Sequence, residues 1–237
     1  MTVVLTHLLA AYMILAAPWL GRVVYQRARK RIEGGDPLAK EGLYRTIVTD
    51  QVVTTAFALG LSLFGGISAR SLGLGAPRFW WLSAGLTVVL GSVLLWSGIR
   101  LRAKAQKIRE KLKDRAEALL PDTLAECRWF AAVSIGAGIS EELLFRGFLF
   151  YYLSWCFPHI QGWESAVLTS LAFGMIHLYQ GWKGILSTSI VGLITAGLYL
   201  LTGNLLVPMV FHASADLRAL LIFWPSAPPA ASAAEAT

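Results

Sequence analysis

Residues 129–155 read WFAAVSIGAGISEELLFRGFLFYYLSW, an apolar run broken only by Glu141, Glu142 and Arg146. A helix needs about 20 apolar residues to cross a bilayer, and this run supplies them. A charge at the centre of such a helix costs about 2.5 to 3.5 kcal/mol unless it is paired, protonated or hydrated. Helical geometry sorts the three. Glu142 and Arg146 are four residues apart, share a face and can pair, whereas Glu141 is turned about 100° from Glu142 and aligns with Phe145. One glutamate is then neutralised by the arginine while the other stays free.

The rest of the chain is of the same kind. Of 237 residues 56% are hydrophobic and 15% charged, with a mean hydropathy of +0.58. That excludes an ordinary soluble domain and points to an all-α, polytopic transmembrane helical bundle. The net charge of +7 does not imply a nucleic-acid partner, because the basic residues gather in two segments flanking apolar runs, where topology accounts for them. Cys127 and Cys156 lie at opposite ends of one expected helix, too far apart to form a disulfide, and have no metal-ligand spacing. The N-terminus lacks a basic leader, so an uncleaved first span is expected.

Seven spans are expected, over about residues 2–24, 46–67, 79–99, 123–157, 163–179, 185–201 and 205–224. Asp50, one turn inside the second, is expected to be interfacial. Between residues 100 and 120, Leu101, Ala105, Ile108, Leu112 and Leu119 recur at helical spacing among dense charge. This predicts a cytoplasmic amphipathic helix lying on the membrane surface or extending the third span. Pro121 ends it, and Thr123 with Glu126 forms a capping-box pattern. The fourth helix, about 34 residues and 50 Å long, must project, tilt or bend, with Gly136 and Gly138 as bend points. Seven Lys/Arg from Arg22 to Arg45 and nine from Arg100 to Arg128 put both segments in the cytoplasm, with the N-terminus outside and the C-terminus inside. The expected divisions are a three-span scaffold with the basic helix (1–120), a four-span catalytic domain (121–225) and a disordered Ala/Pro-rich tail (226–237).

Three of the last four spans carry groups that hydrolytic chemistry uses: Glu141, Glu142 and Arg146; His177, four residues after Phe173; and His212 with Asp216 on one face. Such groups can activate water, bind a metal or relay protons, and spacing alone does not choose. Depth tests whether they meet. Counting 1.5 Å per residue from the cytoplasmic ends places His177 about 8 Å deep and Asp216 about 12 Å. Glu141 joins them at about 10 Å if the membrane core begins near Ser134, with the first turns of the fourth helix projecting.

Glu141-Glu142-x-x-x-Arg146, Phe173-x-x-x-His177 and His212-x-x-x-Asp216, in this order on successive apolar segments, resemble the CPBP family, also called the Abi or type II CAAX-protease family. The resemblance covers about residues 125–224. It implies an intramembrane endopeptidase of the cell (inner) membrane, acting on a membrane-associated protein or peptide from a site open toward the cytoplasm. Relatives trim prenylated CAAX proteins or are linked to bacteriocin immunity. Carried onto this chain, Glu141 would be the general base, assisted by His177, and Glu142 would be held by Arg146. His212 and Asp216 would polarise the scissile carbonyl and stabilise the oxyanion. CAAX-processing members have asparagine at the place of Asp216, and an ionised aspartate has no proton to donate. Asp216 is then expected to be protonated, to orient His212 or to help bind a metal. Zinc held by Glu141, His177, His212 and Asp216 and water activated by glutamate without metal are both open. So are two other classes of function: a non-catalytic scaffold or immunity-type binding protein on the same fold, and a proton-coupled transporter, against which stands the lack of inverted repeats.

Overall fold

The computed structural model describes residues 1–112 and 117–225. The tail at 226–237, expected to be disordered, and residues 113–116 of the expected amphipathic helix lie outside the described residues. Helices make up the described chain, as expected. α1 (Thr2–Ala11) runs through a π-helical turn, Tyr12–Ala16, into α2 (Ala17–Glu33). Pro18 explains the irregularity: its ring lacks an N–H and collides with the carbonyl one α-turn earlier, and a wider turn relieves both.

α3 (Ala39–Phe64) and α4 (Trp80–Leu101) follow, then α5 (Ala105–Leu112) after a single 3₁₀ turn. α6 (Leu124–Glu142) passes through a π-helical segment, Leu143–Leu149, into α7 (Phe150–Cys156). α8 (Gly162–Ile176), α9 (Gly181–Thr202) and α10 (Leu206–Ile222) complete the fold. At the α9–α10 corner, Gly203 adopts a left-handed φ of 65° and the Asn204 side chain accepts from the Leu206 amide at 2.7 Å, as a helix-ending glycine and a turn asparagine do.

Among the described residues four helical stretches are long and apolar enough to cross a membrane: Thr2–Glu33, Ala39–Phe64, Trp80–Leu112 and Leu178–Thr202. The other three expected spans fall outside that measure for physical reasons. α8 and α10 have 15 and 17 residues, and 124–156 carries five ionisable side chains. Large apolar side chains such as Val52, Phe57, Val88, Val93 and Trp96 are exposed, which is the surface a lipid solvent asks for.

The N-terminal helices do not stand apart. α4 lies along α10, α10 along α6, and α6 along α3. Gly138 permits the α6–α10 approach: a Cβ there would come within 2.7 Å of Ala213 Cβ and 2.8 Å of the Met209 carbonyl oxygen. Gly136 faces Gln51 of α3 in the same way. Both glycines are thus sites of close packing instead of the expected bend points, and the irregularity of the long helix falls at Leu143–Leu149.

Several side chains fasten the segment leading into α6. Lys40, buried at 9% exposure, donates to the Leu120 carbonyl at 2.9 Å and pairs with Asp122 and Glu126. The Tyr44 hydroxyl donates to the Leu119 carbonyl at 2.8 Å, and Arg109 meets Asp122 at 2.9 Å. The expected capping box is half present. Thr123 accepts from the Glu126 amide at 3.2 Å, but the Glu126 carboxylate accepts from Asp122 N at 2.8 Å, one residue before the cap, while also facing Lys40. α5 extends α4, and Leu101, Ala105, Ile108 and Leu112 pack on Leu120, Ile222 and Phe223. The apolar stripe therefore covers the protein's own core.

Gly138→Ala should lower stability by about 1–3 kcal/mol through overpacking, read as a lower thermal midpoint in detergent. Gly85→Ala in α4, where an added Cβ meets nothing within 4 Å, should be neutral or raise the midpoint through its higher helix propensity.

Candidate functional site

The site is built outward from a fully buried ion pair. Glu142 and Arg146 are both 0% exposed, and Arg146 Nη1 donates to Glu142 Oε1 at 3.2 Å. All seven residues of the π segment are buried, and such a widened turn is a common feature of functional sites. Arg146 Nη2 also donates to the Gly192 carbonyl of α9 at 2.8 Å, and its guanidinium lies 4.7 Å over the Phe173 ring of α8. Gly192 is small for this reason, since a Cβ there would sit 3.0 Å from Arg146 Nη2. The pairing expected from the i, i+4 spacing is present, and it ties three segments together.

His212 of α10 joins the pair, with Nδ1 2.9 Å from the same Glu142 oxygen. A carboxylate held by an arginine only accepts, so His212 Nδ1 carries the hydrogen and Nε2 points away from Glu142. His212 Nε2 lies 3.8 Å from Glu141 Oε2 and 3.9 Å from Asp216 Oδ2. Glu141, Glu142, His212 and Asp216 are therefore brought together as their spacing and depths predicted.

His177 arrives differently. It is not inside the helix, because α8 ends at Ile176 and His177 is its C-terminal cap. Its Nδ1 lies 2.9 Å from the Phe173 carbonyl, an acceptor, which leaves Nε2 with its lone pair. Phe173 touches both imidazoles, with ring centroids 4.9 Å from His177 and 5.5 Å from His212.

Glu141 is the carboxylate that opens outward. Its side chain is 19% exposed and lines a cavity of about 220 Å³ together with His177 and Tyr179. The far wall comes from the N-terminal helices, including Tyr12, Gly21 and Asp50. An adjoining cavity of about 150 Å³ is lined by the same Tyr12, Asp50 and Glu141, with Gln51 and Ser140 added. Gln51 and Ser140 also line an apolar groove of about 510 Å³ between α3 and α6. The N-terminal helices as far as α3, expected as scaffold, thus wall the site, and Asp50, expected to be interfacial, shares both cavities with Glu141. Sequence reasoning missed Tyr12 altogether. The one signal for this wall was an acidic residue standing alone in an apolar span.

Residues 123–218 match the model of a family described as type II CAAX prenyl endopeptidase Rce1-like, and that segment holds all six polar residues of the cluster. This segment is similar to the CPBP, or Abi, family, and the match supports the resemblance read from its motifs. The CPBP family is a protease family. An uncharacterized 24.3 kDa protein of Escherichia coli is 31% identical over 144 residues, which cover 60% of this chain and 62% of that protein. The chain therefore spans less than two thirds of that curated relative's length. No solved structure matches the chain.

Among the described residues no group of three or more His, Cys, Asp or Glu is disposed to hold a metal ion. His212 gives Nδ1 to Glu142 and keeps Nε2 free, and Phe173 lies against both histidine rings.

Arg146→Leu should strand Glu142 in the core and destabilise the protein by about 3–5 kcal/mol. The Glu142→Leu/Arg146→Leu double variant, which removes both charges, should recover part of that loss in denaturant or thermal unfolding. Equal destabilisation of the two variants would show that the pair is not what holds the site.

Proposed function

We propose that the protein is an intramembrane endopeptidase that hydrolyses a peptide bond of a membrane-associated, CAAX-like protein or peptide. The observation that carries this reading is the division of labour between adjacent glutamates. Glu142 is sealed in a clamp with Arg146 and His212, whereas Glu141 stands 3.8 Å from His212 Nε2 and on a cavity wall.

In this mechanism Glu141 accepts a proton from the attacking water as its oxygen adds to the scissile carbonyl, while His177 Nε2 accepts the water's other hydrogen and orients it. His212, aligned through Nδ1 by Glu142, presents protonated Nε2 to the oxyanion. Asp216 needs no proton for its part: at 3.9 Å from His212 Nε2 it favours the imidazolium and fixes its ring. Collapse of the tetrahedral intermediate breaks the C–N bond, and Glu141 returns its proton to the leaving amine. The Glu141–His212 and Asp216–His212 separations exceed hydrogen-bond length, as is common before substrate binds, and they leave room for the reacting carbonyl.

The groove between α3 and α6 gives the apolar part of a substrate a path from the bilayer to Ser140, beside Glu141. Seven spans, an outside N-terminus and a site opening toward the cytoplasm of a cell inner membrane are supported by the placement of Lys and Arg. Zinc on Glu141, His177, His212 and Asp216 is the alternative to metal-free water activation, and no step above is routed through it.

In proteoliposomes with membrane-anchored peptide substrates, Glu141→Ala and His177→Ala should lower kcat by at least about 100-fold with the thermal midpoint retained. Undiminished cleavage by Glu141→Ala would end the proposal, and a cellular phenotype preserved by Glu141→Gln would favour the non-catalytic binding protein. Chelator should leave the rate unchanged, and elemental analysis should find no stoichiometric zinc in the wild type or His212→Ala. Stoichiometric zinc that His212→Ala loses, with inhibition by chelator, would establish the metal alternative.

A further inference from the structure

Asp50 stands eleven residues from Ala39, the first residue of α3, and fourteen from its last, Phe64, about 16 and 21 Å from the two ends. That is inside a helix long and apolar enough to cross a membrane, about one turn into the apolar run that follows Arg45, where an uncompensated carboxylate is costly. Its side-chain hydrogen bond is weak, from the Tyr12 hydroxyl to Oδ1 at 3.4 Å, and Oδ2 is left for another donor. The side chain is accessible and lines both cavities that Glu141 lines. Among the described residues neither cavity has a Lys or Arg in its wall. Two carboxylates therefore face an otherwise mostly apolar space; Glu141 has His212 behind it, and Asp50 has no lysine or arginine from that wall. Tyr12 and Asp50 also lie outside residues 123–218, the segment that matches the family model, and come from the N-terminal helices.

We propose that Asp50, steadied by Tyr12, is a specificity-determining residue that receives a Lys or Arg side chain of the peptide substrate inside the cavity served by Glu141. The inference rests on the endopeptidase reading for its substrate, and its geometry is independent of the catalytic roles. Apolar walls from Leu20, Val24 and Ile47 suit the aliphatic stem of such a side chain, and the carboxylate suits its head. A bare N–H of the substrate backbone would need no second carboxylate, and it would give no preference for a charged residue.

The test uses the full-length protein and a short Leu/Ala peptide through which a single Lys is moved position by position, with norleucine as the uncharged match; Arg against citrulline forms a second series. At one position the cationic peptide should be cleaved with a kcat/KM at least about tenfold above its neutral match, the difference lying in KM. Asp50→Asn, of the same shape, should abolish that ratio, and Tyr12→Phe should shrink it. The same peptides, fluorescently labelled, are titrated onto Glu141→Gln protein, with and without Asp50→Asn, so that binding is read without turnover. Cleavage with no cation preference, or with a preference that survives Asp50→Asn, overturns the inference and leaves the endopeptidase intact. Cation-selective binding that depends on Asp50 in a protein that cleaves no peptide upholds the pocket and removes the protease. Absence of both removes both.

Discussion

The structure depends on one buried carboxylate oxygen, Glu142 Oε1, which takes Arg146 from one side and His212 from the other. In a core without water neither glutamate nor arginine can be left unpaired, and stranding one costs more than the pair is worth as a stabilising contact. The pair therefore acts mainly as a constraint on arrangement. Arg146 draws in the Gly192 carbonyl of α9 and the Phe173 ring of α8, while Glu142 draws in α10 through His212. An alternative packing of these helices would leave at least one of these charges unsatisfied. This is how two charges that are costly in an apolar run hold four helical segments in one register.

The same constraint explains which parts of the site were legible in the sequence. Relations within one helix were readable because a period of 3.6 residues fixes them: Glu142 with Arg146, Glu141 turned away from both, and His212 above Asp216. Their meeting across helices was readable through depth, because spans entering from one side share a scale. Three features were not. His177 left the helix because α8 stops at Ile176, where its terminal groups are satisfied locally and no periodic signal marks the end. Gly136 and Gly138 were read as hinges, but a glycine that loosens a helix and one that admits a neighbour look alike until the neighbour is placed. Tyr12 and Asp50 carried no motif, and a cavity wall made of unrelated helices leaves no spacing to find.

The long helix around residue 142 was expected to resolve its excess length by bending at glycines, and it changes its winding instead. A π segment directly after Glu142 lets each turn take in an extra residue, so the side chains beyond it are rotated relative to those before. Glu141 and Glu142 belong to the regular α6, which packs on α3 and α10, while Arg146 and Phe145 belong to the wider turn, which packs against α8. The change of winding thus divides the charges between two sets of neighbours. It lets adjacent glutamates occupy unlike surroundings, one sealed and one at a cavity.

That asymmetry also gives the N-terminal helices their part. Glu141 has protein on one side, through His212, and open space on the other. Helices α6 to α10 alone do not enclose that space, because Tyr12, Gly21 and Asp50 come from the first three described helices and complete its wall. The matched segment supplies the polar cluster, and the unmatched helices supply the boundary that a substrate meets first. A cluster of fixed chemistry can then serve different substrates when the boundary changes, since a wall that makes no contact with the clamp can vary without disturbing the Glu142–Arg146 pair. In this chain that wall carries a carboxylate with no Lys or Arg beside it among the described residues, and the physical cost of keeping it in an apolar span is the reason to assign it a ligand.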